Sequence, residues 1–333
     1  MKPGRALAGA GVVAGAAGML VGGAWALERT LSRRARSRPD PDRASPFALP
    51  PGVVRKLPSH DGGTIATLDY GEGPTIVLSH GVTLSNRTWV KQFEALPKEG
   101  FRVVAFDHRG HGDSEAGSSG HSIDNLADDV RTVLDALDVR GGVIVGHSMG
   151  GIAVQAYVTR HPEHAARHLR GIVLLSTLSR VRISEMPGLQ KLLGLLTDNS
   201  PDIGTLFGRR DLGLVLTRFG FGANPQPSHV ELTRQMIAAC DAATSRLAGQ
   251  ALLSLDLTAA LPGITLPTLV VCGTSDLLTP PAEARRIARL IPGARLELIP
   301  KAGHMVMLER AAALDALIVD FAREVGARAP LAG

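Results

Sequence analysis

Short apolar runs rich in Val, Ile and Leu punctuate the chain from residue 53 onward, at Val53–Leu57, Thr64–Asp69, Thr75–Ser79, Arg102–Phe106, Gly142–Gly146, Gly171–Ser176, Thr268–Cys272 and Arg295–Ile299. Their length and continuity predict strands, most of them buried on both faces. Asp61-Gly62-Gly63 between the first two reads as a hairpin turn. Between the later runs apolar positions recur at helical spacing. In Ser122–Leu137 they are Leu126, Val130, Val133, Leu134 and Leu137, with Ser122 placed as N-cap. Gly150–Arg160, Pro281–Leu290 and Ala311–Val325 follow the same pattern. Strand–helix alternation predicts an α/β protein with a doubly wound, mostly parallel sheet.

One interval breaks the alternation. Leu178 to Pro262 holds no strand pattern but has helical segments near Leu189–Leu196, Leu212–Arg218, His229–Ala239 and Ala242–Leu253. It reads as a helical cap inserted between core strands, over the carboxyl edge of the sheet. The predicted organisation is an N-terminal segment (1–34), an extended Pro-rich linker (35–52), a core (53–177 and 263–333) and a cap (178–262).

Charge refines the picture. The net charge is +5 over 333 residues, yet residues 1–45 hold eight basic and three acidic groups, which leaves 28 of each sign in the remainder. The body is neutral and only 4% aromatic, which argues against a nucleic-acid partner. The basic groups flank Leu7–Leu27, an uncharged stretch of 21 residues, and about 20 helical residues span a bilayer core. Ala24-Trp25-Ala26 resembles a secretory cleavage site, but Arg29, Arg33, Arg34, Arg36 and Arg38 directly after it oppose export. The expectation is an uncleaved membrane anchor through residues 7–27 with the catalytic domain cytoplasmic; the alternative is export after cleavage. Gly11/Gly15 and Gly18/Gly22 have a spacing that would permit weak self-association of that helix. The two cysteines, Cys240 and Cys272, lie far apart, and their spacing supports neither a disulfide framework nor a metal site.

The chemistry concentrates in loops after the predicted strands. Gly146-His147-Ser148-Met149-Gly150 is a G-x-S-x-G sequence directly after a strand and before a helix, the context that exposes a serine hydroxyl on a tight turn. Ser148 is the candidate nucleophile. His304, in the loop after the last strand, is its candidate base, and Asp276, just past Leu269–Cys272, the acid that orients it. His80-Gly81-Val82 follows strand Thr75–Ser79, so the backbone N–H groups of Val82 and Met149 are the expected oxyanion donors. His80, Asp107, His108 and His111 read as scaffold.

With His80-Gly81, the Asp107–Ser114 loop, Gly146–Gly151, Gly273–Asp276 and Gly303-His304 in that order, the chain resembles the α/β-hydrolase fold superfamily over residues 53–325. Its basic leader is similar to that of hydrolases of actinobacteria. The resemblance implies a Ser-nucleophile esterase or lipase without metal or organic cofactor, acting on a small-molecule ester or lipid. Members with an Asp nucleophile are disfavoured by Ser148, and Thr83 stands where epoxide hydrolases carry Pro. Carbon–carbon bond hydrolysis, cofactor-free haloperoxidase activity and a non-catalytic tethered binding protein remain as alternatives.

Overall fold

The computed structural model describes residues 28–181 and 203–327. Leu7–Leu27, with its glycine pairs and proposed anchor, and the segment Leu189–Leu196 lie outside these residues. Among the described residues no helix is long and apolar enough to cross a membrane.

The strands are β1 (Val53–Pro58), β2 (Thr64–Tyr70), β3 (Thr75–Ser79), β4 (Arg102–Phe106), β5 (Gly142–His147), β6 (Leu169–Leu175), β7 (Thr268–Gly273) and β8 (Arg295–Ile299). They form one sheet in the order β1-β2-β4-β3-β5-β6-β7-β8. Only the β1–β2 and β2–β4 pairings are antiparallel; β4–β3–β5–β6–β7–β8 is parallel throughout. All but the edge strands are buried along nearly their whole length, which accounts for the continuous apolar runs.

The period-2 alternation of each strand feeds two cores, one per face. Val77, Val104, Ile144, Ile172 and Val270 join one; Ile76, Val103, Val145, Val173 and Val271 join the other. Each such side chain, fully buried, contributes about 1.5–3 kcal/mol relative to exposure.

The helices are α1 (residues 28–36), α2 (Val90–Ala95), α3 (Ile123–Ala136), α4 (Met149–Arg160), α5 (Pro162–His168), α6 (Ile203–Gly208), α7 (Arg210–Thr217), α8 (Pro227–Ala239), α9 (Ala242–Leu253), α10 (Pro281–Leu290), α11 (Val306–Glu309) and α12 (Ala311–Gly326). Ser122 caps α3 as the sequence predicts, its hydroxyl accepting from the Asn125 N–H at 3.0 Å. Helices α6 to α9 interrupt the alternation between β6 and β7.

The expected extended linker is instead docked. Residues 28–36 are helical. Ser32 donates to Asp211 at 2.7 Å and Arg36 pairs with the same oxygen at 2.8 Å, joining α1 to α7. Asp40 accepts from the backbone and hydroxyl of Ser228, and Asp42 from His229 at 2.8 Å, joining the next stretch to α8. Phe47 is buried against His229. The Pro-rich composition concealed this: prolines keep the backbone extended, but the few residues between them carry the contacts.

Candidate active site

Ser148 occupies the turn between β5 and α4 at φ 53°, ψ −117°, a conformation that L-residues rarely adopt. The glycines around it are there for space. A Cβ on Gly146 would lie 2.5 Å from the Gly150 carbonyl oxygen, and one on Gly150 would lie 2.2 Å from that of Ser79. Close backbone approach, within the turn at Gly146 and against β3 at Gly150, therefore forces the G-x-S-x-G spacing. The turn is pinned from the next strand as well: Ser148 N donates to Leu175 O at 3.0 Å, and Thr177 Oγ1 donates to Ser148 O at 2.7 Å.

Asp276 and His304 meet at 3.0 Å, Oδ2 to Nδ1, brought together by the loops that follow the paired strands β7 and β8. Both are buried. Burial alone would raise the Asp276 pKa, but His304 and Thr279 beside it hold the carboxyl below the ordinary aspartate range. Leu278 N and Thr279 N donate to Oδ1 at 2.9 and 2.8 Å, and the Thr279 hydroxyl donates to Oδ2 at 2.6 Å. Thr279 Oγ1 also lies 3.2 Å from His304 Nδ1. With Nδ1 committed to the carboxylate, His304 has Nε2 left as a base.

Ser148 and His304 line one cavity of about 430 Å³. The Ser148 hydroxyl makes no hydrogen bond among the described residues. The N–H groups of Val82 and Met149 likewise donate to no protein acceptor among the described residues. Met149 is the first residue of α4, where an N–H has no helical partner. A Cβ on Gly81 would sit 3.2 Å from Ser148 Cβ, which places the Val82 loop directly beside the serine.

Several contributors escaped the sequence reading. Thr279 is the first. His147 donates from Nε2 to the His304 carbonyl at 3.0 Å, locking the His304 backbone to the Ser148 turn; burial drives its pKa well below the ordinary value, so it is neutral. Glu309 accepts from Gly222 N at 2.7 Å and Gly303 N at 2.8 Å, and His304 N donates to Gly220 O at 2.9 Å. The segment after α7 and the loop carrying His304 are thus fastened to each other. Thr279 and Glu309 lie three and five residues from predicted site residues, so proximity was a usable signal; nothing marked Gly220 and Gly222.

His80 and Asp107 are both held by surrounding backbone groups. His80 is fully buried, donates from Nδ1 to Gly81 O and accepts at Nε2 from His108 N. Burial, with His111 adding to it, lowers its pKa to about 3, which suits a brace and not a proton carrier. Asp107 ties down the backbones of Asn86 and Asp113, its pKa raised by burial to about 6.

The cavity walls are chiefly apolar. Phe207, Leu216 and Ile237 come from the cap, Leu84, Leu278 and Met305 from core loops. At its rim Phe219 and Leu277 are each 60% exposed, unusual for large apolar side chains.

A family profile described as alpha/beta hydrolase fold matches residues 74–311. The chain is 31% identical to the Non-heme chloroperoxidase CPO-A1 of Kitasatospora aureofaciens over 267 residues, 75% of this chain and 92% of that one. It is 48% identical to the Bifunctional esterase/perhydrolase DCH of Acinetobacter calcoaceticus over 104 residues, 31% of this chain and 38% of that one. Among solved structures, the enol-lactonase from Burkholderia xenovorans LB400 superposes with a TM-score of 0.69 at 29% identity, covering 80% of this chain and 99% of that chain.

Proposed function

The chain belongs to the α/β-hydrolase fold family, and from that premise we propose that it is a serine hydrolase of carboxylic esters working through an acyl-enzyme. The observation that supports this most is the convergence of Ser148 and the Asp276–His304 pair on one apolar cavity. Ser148 Oγ attacks the ester carbonyl while His304 Nε2 takes its proton. The oxyanion that develops receives the N–H groups of Val82 and Met149, donors commonly worth about 3 kcal/mol each. His304 returns the proton to the departing alcohol, and water, deprotonated by the same imidazole, releases the acid and regenerates Ser148. Throughout, Asp276 holds the ring in one tautomer and stabilises the imidazolium. The Phe207, Leu216 and Ile237 wall favours an acyl chain of medium or long length.

A fluorophosphonate probe tests the nucleophile: wild type is labelled, Ser148→Ala is not, and circular dichroism of the two is the same. Undiminished labelling of the variant sinks the assignment. A panel of p-nitrophenyl esters then reads chain length. A second reading, haloperoxidase activity at the same site, takes its support from the chloroperoxidase relative; bromination of a diketone in the presence of peroxide distinguishes it from plain ester hydrolysis.

We also propose that Leu7–Leu27 anchors the enzyme, with the arginines after it against anionic headgroups. Membrane fractionation of the full chain against one starting at Glu28 checks this, since a cleaved signal leaves both soluble.

A further inference from the structure

We infer that Asp135, His164 and His168 form a binding site for a divalent transition metal, zinc above all, far from the catalytic serine. His164 and His168 are four residues apart on α5, so both rings project from one side of the helix. They stack with centroids 4.1 Å apart and planes within 15°. Both Nε2 atoms turn to the same carboxylate oxygen, Asp135 Oδ1, at 2.8 Å from His164 and 3.4 Å from His168.

The outer partners sharpen this geometry. His168 Nδ1 donates to Val139 O at 2.8 Å, so Nε2 is the ring nitrogen turned toward Asp135. His164 also has an oxygen partner on Nδ1, the Tyr157 hydroxyl at 2.6 Å, and its Nε2 is hydrogen-bonded to Asp135 Oδ1 at 2.8 Å, a proton that a bound metal displaces. Histidines that bind metals through one nitrogen characteristically hold an oxygen partner on the other.

The spacing fits. Ligands at about 2.0–2.2 Å around a tetrahedral ion stand roughly 3.3–3.6 Å apart. Here the three ligand atoms lie within 4.8 Å of one another, so seating an ion asks for shifts of up to roughly 1.5 Å in the rings and carboxylate. Two imidazoles and one carboxylate suit zinc and its first-row neighbours, while magnesium and calcium would call for more oxygens. Arg131 approaches Asp135 through the other oxygen, Oδ2, at 3.6 Å, and leaves Oδ1 to the site. Asp135 is exposed, so water can complete the coordination. The cluster joins the end of α3 to α5 at the amino edge of the sheet, before β5 and β6, whereas Ser148 follows β5 at the carboxyl edge. It is a staple between elements and takes no part in the ester chemistry.

The test uses the full chain, stripped with a chelator and titrated with zinc chloride against a chromophoric competitor. One equivalent binds, the melting temperature rises, and cobalt(II) in place of zinc gives visible absorption bands characteristic of a nitrogen-ligated site. Asp135→Asn and His168→Gln each weaken zinc by about 100-fold or more and abolish the thermal shift, with ester turnover unchanged in Asp135→Asn. Asp135→Asn alters an exposed side chain, so it remains informative even if His168→Gln folds poorly. The inference is overturned if wild type retains no zinc against the competitor, or if Asp135→Asn binds zinc as wild type does; either result leaves a hydrogen-bonded Asp–His cluster and nothing more.

Discussion

Replacing Thr279 with Val removes one hydroxyl from beneath the proposed base and leaves the volume almost unchanged. That hydroxyl donates to Asp276 Oδ2 at 2.6 Å, and the same oxygen receives His304 Nδ1–H at 3.0 Å. A hydrogen bond to a charged group contributes about 1.5–3 kcal/mol. The two backbone donors on Oδ1 remain in the variant and keep the carboxylate partly satisfied, so the lower half of that range applies. If most of it appears as misplacement of the imidazole, kcat/KM falls about 10-fold and not more than about 100-fold, at ~1.4 kcal/mol per decade. Thr279 does not line the cavity, so KM holds and the loss is in kcat. The variant also unfolds at lower temperature. Asp276 is held below the ordinary aspartate pKa in the fold, so its ionised-state stabilisation is present above that value and is lost as pH falls through the depressed one. The deficit in melting temperature is therefore largest near neutral pH and shrinks in acid. Thr279→Ser restores the hydroxyl and most of the rate. Steady-state kinetics on a p-nitrophenyl ester with thermal scans at two pH values read all of this. A rate within twofold of wild type for Thr279→Val, or equal losses in Val and Ser, refutes Thr279 as a positioning residue.

Three more outcomes are expected. Asp315 is buried beside Gln92, and burial raises its pKa to about 7; a carboxyl raised in the fold destabilises progressively as pH climbs from the ordinary value through the raised one, with an upper bound of about 4 kcal/mol at ~1.4 kcal/mol per pH unit. Asp315→Asn keeps the acceptor for Gln92 and flattens that fall, so urea midpoints at pH 5 and pH 8 converge. Gly150→Ala drives a methyl to 2.2 Å from the Ser79 carbonyl oxygen, backbone that cannot yield cheaply, and lowers stability by about 1–3 kcal/mol or more in urea melts, together with nucleophile labelling. Asp42→Ala removes the partner shared by His229 and Lys91 and exposes residues 37–52 to limited proteolysis that wild type resists; an unchanged cleavage pattern counts against the docked segment.

Periodicity reported the framework well because it is set by burial along each element. Residues 142–146 read as a strand continue one residue further to His147, and Ser122–Leu137 differs from the observed helix only in its caps. The chemistry-bearing loops were legible for a related reason: a glycine pair demanded by close backbone approach leaves a sequence mark, as Gly146 and Gly150 do against Gly150 O and Ser79 O. Contacts between segments remote in sequence leave none. Glu309 grips Gly222 across 87 positions, and Asp42 reaches His229 across 187. Asp135 joins His164 and His168 only because α3 and α5 end side by side. In each case a polar residue of ordinary appearance acquires its role from a neighbour that the fold supplies.

The docked leader carries one further consequence, mechanical in kind. Helix α1 is joined through Ser32 and Arg36 to Asp211 on α7, the helix whose far end places Leu216 and Thr217 in the cavity wall. A load entering the protein at residue 28 is therefore passed through α7 to the wall of the cavity above Ser148. Displacement of whatever precedes α1 is coupled in series to the shape of the space above Ser148, and through Gly220 O, which follows α7 and accepts from His304 N, to the loop that carries His304.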